Sequence, residues 1–457
     1  MSMDNPSKAT KHTKTCRIIL FPLPFQGHIN PMIQLADILH SKGFTISIIH
    51  TQFNSPDPSK YPHFMFHLIP DGVSEDQASK HDILRVLHIL NTDCIPLFSE
   101  CLGKLLSAHD DIVCMITDAM IYSSQAVAED LGIPRIALRT SSVCSFLTFA
   151  ALPGLREKGF YSDNLDSRWE DPVVELPPLK VKDVLGIHIR NLDDTLKIVN
   201  DMVEGTKKAS GLIFNTFQDL EEPNIANLHE HFRLPTFLIG PFHKFFSAAS
   251  SSLLTQDRSS IYWLDTQKTS SVLYVSFGSL AAMDEKNLIE VAWGLANSMQ
   301  PFLWVVRPGL VQGSEWLESL PDEFMEVTGK RGYIVKWAPQ QEVLSHPAVG
   351  GFWTHSGWNS ILESVCEGVP MICSSFFGDQ TVNSRYINDV WRLGIKLECG
   401  LQREEIESAI RKIMLEGEGR QDIIERLVCL KEKIDGFSST SVNALSDFIS
   451  SFKSSVV

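Results

Sequence analysis

Short continuous apolar runs alternate along the first half of the chain with segments in which apolar residues recur at helical spacing. The runs predict buried strands at residues 16–21, 44–50, 112–117 and 134–138. The helical segments between them cover residues 29–42, 83–106 and 123–131. Strands and helices that alternate in this way build right-handed βαβ units, in which a parallel sheet carries helices on both faces.

The alternation stops near residue 241 and restarts near residue 257. Between these points, the sequence SAASSS has the composition of a flexible linker. Further strands are predicted at residues 271–276, 301–306, 333–336, 350–354 and 370–374. The pattern predicts an α/β protein with two Rossmann-like, doubly wound domains that face each other across a cleft. The predicted parts are an N-terminal domain, a linker, a C-terminal domain and a final amphipathic helix, at residues 1–240, 241–256, 257–438 and 439–457.

Composition and charge narrow the possible functions. The 457 residues are 44% hydrophobic and 21% charged, as expected of a globular protein with two cores. A net charge of −15, with no basic run outside the N-terminal tail, argues against nucleic-acid binding. No apolar stretch is long enough for a membrane span, and the polar first 15 residues lack the core of a signal peptide. Nine cysteines without a Cys-x-x-Cys pair indicate reduced thiols and a cytosolic protein.

Residues 337–380 concentrate polar and aromatic side chains around predicted strand ends. One strand leads into His355, a glycine turn and a helix that begins at Asn359 or Ser360. The free N–H groups and the dipole of a helix start attract an anion, and His355 adds a donor beside them. Ser279, in the turn after an earlier strand, offers a second contact of this kind. Alone, such a pattern more often marks a capped helix without a ligand.

Three further features of this segment suit a nucleotide sugar. Glu363 lies one helical turn beyond the helix start, where a carboxylate can accept both hydroxyls of a ribose. Trp337 offers a flat face on which a uracil can stack. Asp379 and Gln380 follow another predicted strand and can bond neighbouring sugar hydroxyls. Each of these residues alone has a commoner structural explanation, but together, at these spacings, they indicate a site.

The segment as a whole resembles the plant secondary product glycosyltransferase box, the signature of plant UDP-sugar-dependent glycosyltransferases (glycosyltransferase family 1). The resemblance extends to residues 21–31 (FPLPFQGHINP), 263–265 (WLD) and 274–279 (YVSFGS), and covers nearly the whole chain. The box departs from the commonest pattern mainly at Ser356, where Cys is usual, and at Ser374 and Ser375. The chain is similar to the group that contains steviol-glycoside glucosyltransferases. This resemblance implies the GT-B fold, with a last helix that packs back on the N-terminal domain.

The resemblance also implies roles for single residues of the donor site. The nucleoside is expected to contact Trp337, Ala338, Gln340 and Glu363. The diphosphate is expected to contact Ser279, His355, Asn359 and Ser360. The sugar is expected to contact Thr140, Trp358, Asp379 and Gln380. The glutamine at the end of the box favours glucose, so that UDP-glucose is the expected donor.

The N-terminal domain is predicted to supply the base. Ligands of parallel α/β sheets lie beyond the carboxyl ends of the strands. His28 follows the first strand and Asp118 follows the 112–117 strand, so both lie on the ligand side of one sheet. A carboxylate that accepts from one imidazole nitrogen leaves the other to take a proton from an acceptor hydroxyl. A lone His or Asp is more often a turn or cap residue, but these two positions match the family's His–Asp dyad.

The expected reaction is a single in-line displacement with inversion at the anomeric carbon. No Gly-x-Ser-x-Gly elbow provides a covalent nucleophile, and no Asp-x-Asp pair provides a metal clamp for the diphosphate. The family resemblance likewise implies a metal-independent enzyme. The sequence therefore predicts no metal and no resident cofactor, and we expect a monomer whose partners are UDP-glucose and the acceptor.

The acceptor is expected to be a small apolar plant metabolite. The predicted lining residues, all on cleft-side loops, are Phe25, Met120, Phe146, Phe149 and Phe377. Their apolar character suits a terpenoid, a flavonoid or another phenolic, although each residue could equally belong to the core. An existing glycoside of such a compound fits as well as an aglycone.

Three alternatives stay open at this point. The same fold and mechanism could use another UDP-sugar, such as UDP-galactose, UDP-xylose or UDP-rhamnose. A non-catalytic nucleotide-sugar binding protein is the second alternative, against which the presence of both His28 and Asp118 argues. A nicotinamide dehydrogenase would also have Rossmann-like domains, but no Gly-x-Gly-x-x-Gly follows a predicted strand.

Overall fold

A computed structural model of the chain describes residues 16–73, 83–161, 165–187, 191–245, 254–311, 316–415, 417–435 and 440–455. The polar N-terminal segment and the SAASSS stretch of the predicted linker lie outside these ranges. None of the described helices is long and apolar enough to span a membrane.

The first half of the chain forms a seven-stranded sheet in the order β3-β2-β1-β4-β5-β6-β7. All paired strands are parallel. The strands are β1 Arg17–Phe21, β2 Thr45–Thr51, β3 Met65–Ile69, β4 Ile112–Asp118, β5 Arg135–Arg139, β6 Gly211–Phe214 and β7 Thr236–Leu238. The helices are α1 Gln26–Ser41, α2 Ile83–Asn91, α3 Ile95–Ala108, α4 Ser124–Leu131, α5 Val143–Glu157, α6 Val181–Leu185, α7 Leu192–Lys207 and α8 Gln218–His231.

The second half forms a six-stranded sheet in the order β10-β9-β8-β11-β12-β13, again with parallel pairs. The strands are β8 Val272–Ser276, β9 Phe302–Val305, β10 Gly332–Val335, β11 Val349–Thr354, β12 Met371–Cys373 and β13 Gly394–Lys396. The helices are α9 Ser259–Leu264, α10 Glu285–Ser298, α11 Phe324–Thr328, α12 Gln340–Leu344, α13 Trp358–Glu367, α14 Gln380–Asp389, α15 Arg403–Met414, α16 Glu418–Asp435 and α17 Thr440–Ser451. Two parallel sheets, each wound outward in both directions from a central strand, confirm the predicted pair of Rossmann-like domains.

Two details of the predicted elements differ from the structure. The single helix expected at residues 83–106 is two helices, because Pro96 lacks an N–H and starts α3 in its first turn. Strand β3 has the sequence MFHLI, in which His67 interrupts the apolar run, and it lies at the edge of the sheet, where Leu68 is 59% exposed. The four strands that were not predicted are β3, β6, β7 and β13.

The last helix packs on the first sheet. Val442, Leu445 and Ile449 of α17 are buried in one apolar cluster with Ile18 of β1 and Ile116 of β4. The chain therefore crosses between the two domains twice, and its C-terminal helix adds to the core of the N-terminal domain.

The domains also meet through their own side chains. Leu155 and Val184 of the N-terminal domain share an apolar cluster with Val382 of the C-terminal domain. Next to it, the buried carboxylate of Asp183 accepts a hydrogen bond of 2.8 Å from Nε of Arg385, across the domain boundary. This packing fixes the carboxyl ends of the two sheets on opposite walls of one cleft.

Candidate active site

The predicted site residues meet at one cavity in the cleft, of about 370 Å³. Its size is that of a pocket for a small organic ligand. The predicted polar and donor-site residues that line it are His28, Thr140, Ser279, Trp337, Ala338, Gln340, His355, Trp358, Asn359, Ser360, Glu363, Asp379 and Gln380. Asp118 does not line the cavity, because it lies behind His28 and is 1% exposed.

His28 and Asp118 form a hydrogen-bonded pair at the carboxyl end of the two central strands of the first sheet. His28 lies in the first turn of α1, and Asp118 is the last residue of β4, the strand next to β1. Nδ1 of His28 is 2.7 Å from Oδ2 of Asp118. The second oxygen of Asp118, Oδ1, accepts from the main-chain N–H of Met120 at 2.9 Å, which fixes the carboxylate.

The Asp118 carboxyl remains ionised although it is buried. Burial raises its pKa, but the charge and hydrogen bond of His28, the N–H of Met120 and the charge of Arg139 together hold the pKa below its usual value. An ionised carboxylate at Nδ1 stabilises the imidazolium that forms when the ring accepts a proton.

Thr140 provides a second partner for the same ring nitrogen. It follows β5, and its Oγ1 is 2.9 Å from Nδ1 of His28. Both oxygens beside Nδ1 accept when this nitrogen carries the proton, so the network assigns the Nδ1–H tautomer. Nε2 is then the basic nitrogen and, within the described part of the chain, makes no hydrogen bond. The family resemblance predicts that Thr140 contacts the sugar. That contact stays a prediction, in addition to the observed contact with His28.

His355, just before α13, packs closely against two glycines: Gly278 in the turn after β8 and Gly357 at the start of α13. A Cβ at Gly278, where φ is +72°, would lie 2.6 Å from Cε1 of His355, and a Cβ at Gly357 would overlap Nε2. Burial and the charge of Arg307 lower the pKa of His355 to about 4, so the ring is neutral at neutral pH. Ser279 lines the cavity next to Gly278. The N-cap residue, Gly357, leaves the first N–H groups of α13 without a side-chain cap, as an anion site requires.

Glu363 is held by two side-chain amides. Its Oε2 accepts from Nε2 of Gln340 at 2.7 Å, and its Oε1 accepts from Nε2 of Gln341 at 3.0 Å. Gln340 also donates to Ser360 at 2.9 Å. Burial raises the pKa of Glu363, while the two amide hydrogen bonds oppose this shift. Glu363 and Trp337 line the same cavity, as a ribose site and a base-stacking ring of one nucleotide would require.

Asp379 and Gln380 also line the cavity, as the N-cap and the first residue of α14. Burial raises the pKa of Asp379, and a hydrogen bond from Asn383 and the charges of Arg139 and His28 oppose it. Oε1 of Gln380 accepts from the main-chain N–H of Phe376 at 2.9 Å, so its Nε2 is the group left to bond a ligand.

Two residues predicted to bind the UDP-sugar, Trp358 and Asn359, donate side-chain hydrogen bonds across the domain boundary. Nε1 of Trp358 donates to the carbonyl oxygen of Asn215 at 2.8 Å, and the indole is 3% exposed. Nδ2 of Asn359 donates to the carbonyl oxygen of Gly27 at 2.9 Å. The indole N–H of Trp358 is thus not available to a sugar, and its main chain is the part left to contact a ligand.

The apolar wall of the cavity agrees with the predicted acceptor pocket except at one position. The predicted residues that line it are Phe25, Met120, Phe149 and Phe377. The prediction is wrong for Phe146, which is 0% exposed and packs in the core against Phe214 and Phe232. Phe146 and Phe149 lie almost one turn apart on α5, and periodicity alone does not distinguish the cavity side of a helix from its core side.

Sequence reasoning missed Gln341, Arg139 and Asn383. Gln341 adjoins a predicted residue inside the box, so its place in the site could have been found from that neighbour. Arg139 is buried at the end of β5, and Asn383 lies four residues beyond Asp379 on α14. Helical spacing puts Asn383 on the same face as Asp379, so its contact with Asp379 could have been predicted from the sequence.

Comparisons with known proteins agree with this geometry. The family model for UDP-glucoronosyl and UDP-glucosyl transferase matches residues 254–432. The chain is 47% identical to UDP-glycosyltransferase 76B1 of Arabidopsis thaliana, over 97% of this chain and 100% of the relative. It is 46% identical to UDP-glycosyltransferase 76G1 of Stevia rebaudiana, over 98% of this chain and 100% of the relative.

Solved structures show the same architecture. UGT71G1 of Medicago truncatula, complexed with UDP-glucose, aligns with a TM-score of 0.80 and 26% identity over 95% of this chain and 98% of that structure. UGT2 of Phytolacca americana, complexed with UDP-2-fluoro-glucose and pterostilbene, aligns with a TM-score of 0.77 and 27% identity over 96% and 99% of the two chains. The fold is therefore GT-B, and the chain belongs to the plant UDP-glycosyltransferases, which glycosylate small metabolites.

Proposed function

We propose that this protein transfers glucose from UDP-glucose to a hydroxyl of a small, largely apolar plant metabolite. The observation that carries the proposal is the 2.7 Å contact between Oδ2 of Asp118 and Nδ1 of His28, the residue of the pair that lines the donor cavity. In this proposal, Nε2 of His28 removes the proton of the acceptor hydroxyl as the new bond forms. Asp118 stabilises the resulting imidazolium.

The donor side supports a single displacement with inversion. The acceptor oxygen bonds to the anomeric carbon on one face, and the bond to the UDP oxygen breaks on the other. The leaving diphosphate gains negative charge, which the free N–H groups of α13 and the neutral ring of His355 stabilise. These groups supply hydrogen bonds without a metal, so we propose a metal-independent reaction.

The sugar is proposed to be glucose because Asp379 and Gln380 end the box and both line the cavity. A carboxylate and an amide N–H next to each other can bond two neighbouring equatorial hydroxyls. The acceptor is proposed to pack against the apolar wall formed by Phe25, Met120 and Phe149, which suits a terpenoid or a phenolic ring. The cytosolic location and the monomeric state stay predictions.

The test is an acceptor screen with purified protein and UDP-glucose, read by mass spectrometry for a gain of one hexose. Apolar aglycones and their monoglucosides are run side by side, with UDP-galactose, UDP-xylose and UDP-rhamnose as competing donors. Transfer of glucose in preference to the other sugars supports the proposal. Transfer of another sugar would contradict the donor assignment, and UDP binding without any transfer would favour the binding protein.

A His28→Ala variant tests the base directly. We expect transfer to fall by about 10²- to 10⁴-fold, the usual contribution of a general base, while UDP affinity stays near that of the native protein. Native turnover in this variant would refute the role of His28.

A further inference from the structure

We propose that Asn383 is a positioning residue, which fixes the carboxylate of Asp379 relative to the N-terminal domain and so to His28. The proposal rests on the proposed function, because it assumes that Asp379 contacts the transferred sugar. Asn383 does not itself line the cavity, and it is 0% exposed.

The side-chain amide of Asn383 makes four hydrogen bonds. Nδ2 donates to Oδ2 of Asp379 at 3.0 Å and to the carbonyl oxygen of Ser356 at 3.1 Å. Oδ1 accepts from Oγ of Ser142 at 2.7 Å and from Oγ of Ser145 at 2.8 Å. Both donors and both lone pairs of the amide are therefore used, which is its full capacity.

These four partners also fix the orientation of the amide. A flipped amide would place its oxygen against the carboxylate of Asp379 and the carbonyl of Ser356, where only acceptors are present. The observed orientation is thus the one that satisfies every buried group. Loss of either hydrogen of Nδ2 would leave a buried acceptor without a partner, which is costly.

The partners belong to three different parts of the active site. Ser142 is the N-cap of α5 and Ser145 lies in its first turn, two and five residues beyond Thr140, whose hydroxyl contacts His28. Ser356 precedes Gly357 in the turn that begins α13, and its φ of +65° is unusual for a residue with a side chain. Asn383 therefore joins the loop that supports the base, the turn at the diphosphate and the sugar carboxylate in one network.

This network is built for alignment between domains. In-line displacement requires the acceptor oxygen, held at His28, to lie about 3–3.5 Å from the anomeric carbon, held by the donor domain, and in line with the bond that breaks. Asp379 lies on the donor side and Ser142 on the acceptor side, and Asn383 is bonded to both. A change at Asn383 should therefore alter the sugar position while the nucleotide site at Trp337 and Glu363 stays intact.

The test variant is Asn383→Asp, which keeps the shape of the side chain. Its carboxylate can still accept from Ser142 and Ser145 but faces Asp379 with a second negative charge. At higher pH both carboxylates are ionised and repel each other, whereas at lower pH the pair shares one proton, which restores a hydrogen bond. The charged groups that face Asp379 from other elements are Arg139 of β5 and His28 of α1, and both are unchanged.

We expect kcat of Asn383→Asp to fall roughly 10- to 100-fold near neutral pH, as for a small misplacement of reacting groups. The deficit relative to the native protein should shrink as the pH is lowered from about 8 to about 6, because protonation removes the like-charge repulsion. UDP affinity should stay within about twofold of the native value, while the affinity for the UDP-sugar should fall, because only the UDP-sugar contacts Asp379 in the proposed function. Binding is measured by calorimetry without acceptor, so this readout does not depend on the acceptor class.

The matched control is Tyr386→Phe on the same helix. The hydroxyl of Tyr386 bonds Oδ1 of Asn224 at 3.2 Å across the same boundary but does not touch Asp379. We expect this variant to lower Tm without loss of kcat. A second variant, Ser145→Ala, removes one hydrogen bond to Asn383 and should reduce kcat in the same direction by a smaller factor.

The assays use the UDP-sugar that the native protein transfers fastest. A donor other than glucose would then overturn only the glucose assignment and leave this test in place. A native pH profile and native kcat in Asn383→Asp would overturn the positioning role. Equal losses of kcat in Asn383→Asp and Tyr386→Phe would overturn it too, since the effect would then be general loosening of the interface. If Asn383→Asp does not fold, unchanged kcat in Ser145→Ala would be the overturning result.

Discussion

The side-chain amide of Asn359 donates to the main-chain carbonyl oxygen of Gly27 at 2.9 Å, so the start of the donor-site helix is fastened to the residue before His28. The sequence assigned Asn359 to the diphosphate, and the structure gives the same amide a contact across the cleft. The two roles differ in what they predict for an alanine variant.

Asn359→Ala should lower kcat roughly tenfold, because His28 loses a fixed position relative to the sugar. UDP affinity should change by about twofold or less, since the main-chain N–H groups at the start of α13 still bind phosphate. Steady-state kinetics and calorimetry with UDP measure the two effects. Asn443→Ala is a control, because that exposed amide bonds Lys42 far from the cavity. A parallel fall in UDP affinity would show that the amide of Asn359 holds the diphosphate directly.

Thr140→Val should reduce kcat by roughly three- to tenfold, within the contribution of one hydrogen bond. The substitution removes one of the two oxygens that keep the proton on Nδ1 of His28 and leaves Asp118 as the other. KM for UDP-glucose should stay near its native value. A large rise in this KM, with kcat unchanged, would instead assign Thr140 to the sugar, as the family resemblance implied.

Glu363→Gln should weaken UDP binding and stabilise the free protein at the same time. Because burial raises the pKa of Glu363, the folded state binds its proton more tightly than the unfolded state does. The free energy of unfolding therefore falls as the pH rises through the folded pKa, and a neutral side chain avoids this cost. Differential scanning fluorimetry should show a higher Tm at neutral pH, and calorimetry a UDP affinity about tenfold weaker, or 1.4 kcal/mol. A lower Tm would mean that the amides of Gln340 and Gln341 need the carboxylate for stability.

The sequence predicted the two domains, and all of the predicted donor-site residues line the cavity, for identifiable physical reasons. Buried parallel strands are continuous apolar runs, and polar residues at their carboxyl ends must lie on one side of the sheet. This placed His28, Asp118 and His355 correctly before any contact was known.

Side-chain contacts between the two domains could not be predicted from hydrophobic periodicity or from the positions of strand ends. Asn359 bonds Gly27, 332 positions away, and Asn383 bonds Ser142, 241 positions away. Neither pairing leaves a periodic signal, because each depends on how two separately folded sheets dock. The misplacement of Phe146 has a different origin: Phe146 packs against Phe214 and Phe232 inside the N-terminal domain, and helical periodicity does not tell the core side of α5 from its cavity side.

Asp183→Asn should destabilise the docked domains. The carboxylate of Asp183 is 1% exposed and accepts hydrogen bonds from Arg385 and Lys396, both in the C-terminal domain. Removal of one partner from a buried ion pair usually costs about 3–5 kcal/mol, because the other charge stays buried without compensation. Glu398 still neutralises Arg385, so a loss near the lower end is expected.

Urea unfolding followed by tryptophan fluorescence measures this loss of stability. The control is Glu407→Gln, from an exposed pair with Arg411, which should change stability by less than about 0.5 kcal/mol. Equal small shifts in both variants would mean that the buried network contributes no more than a surface pair. Asp183 would then serve only to orient α14.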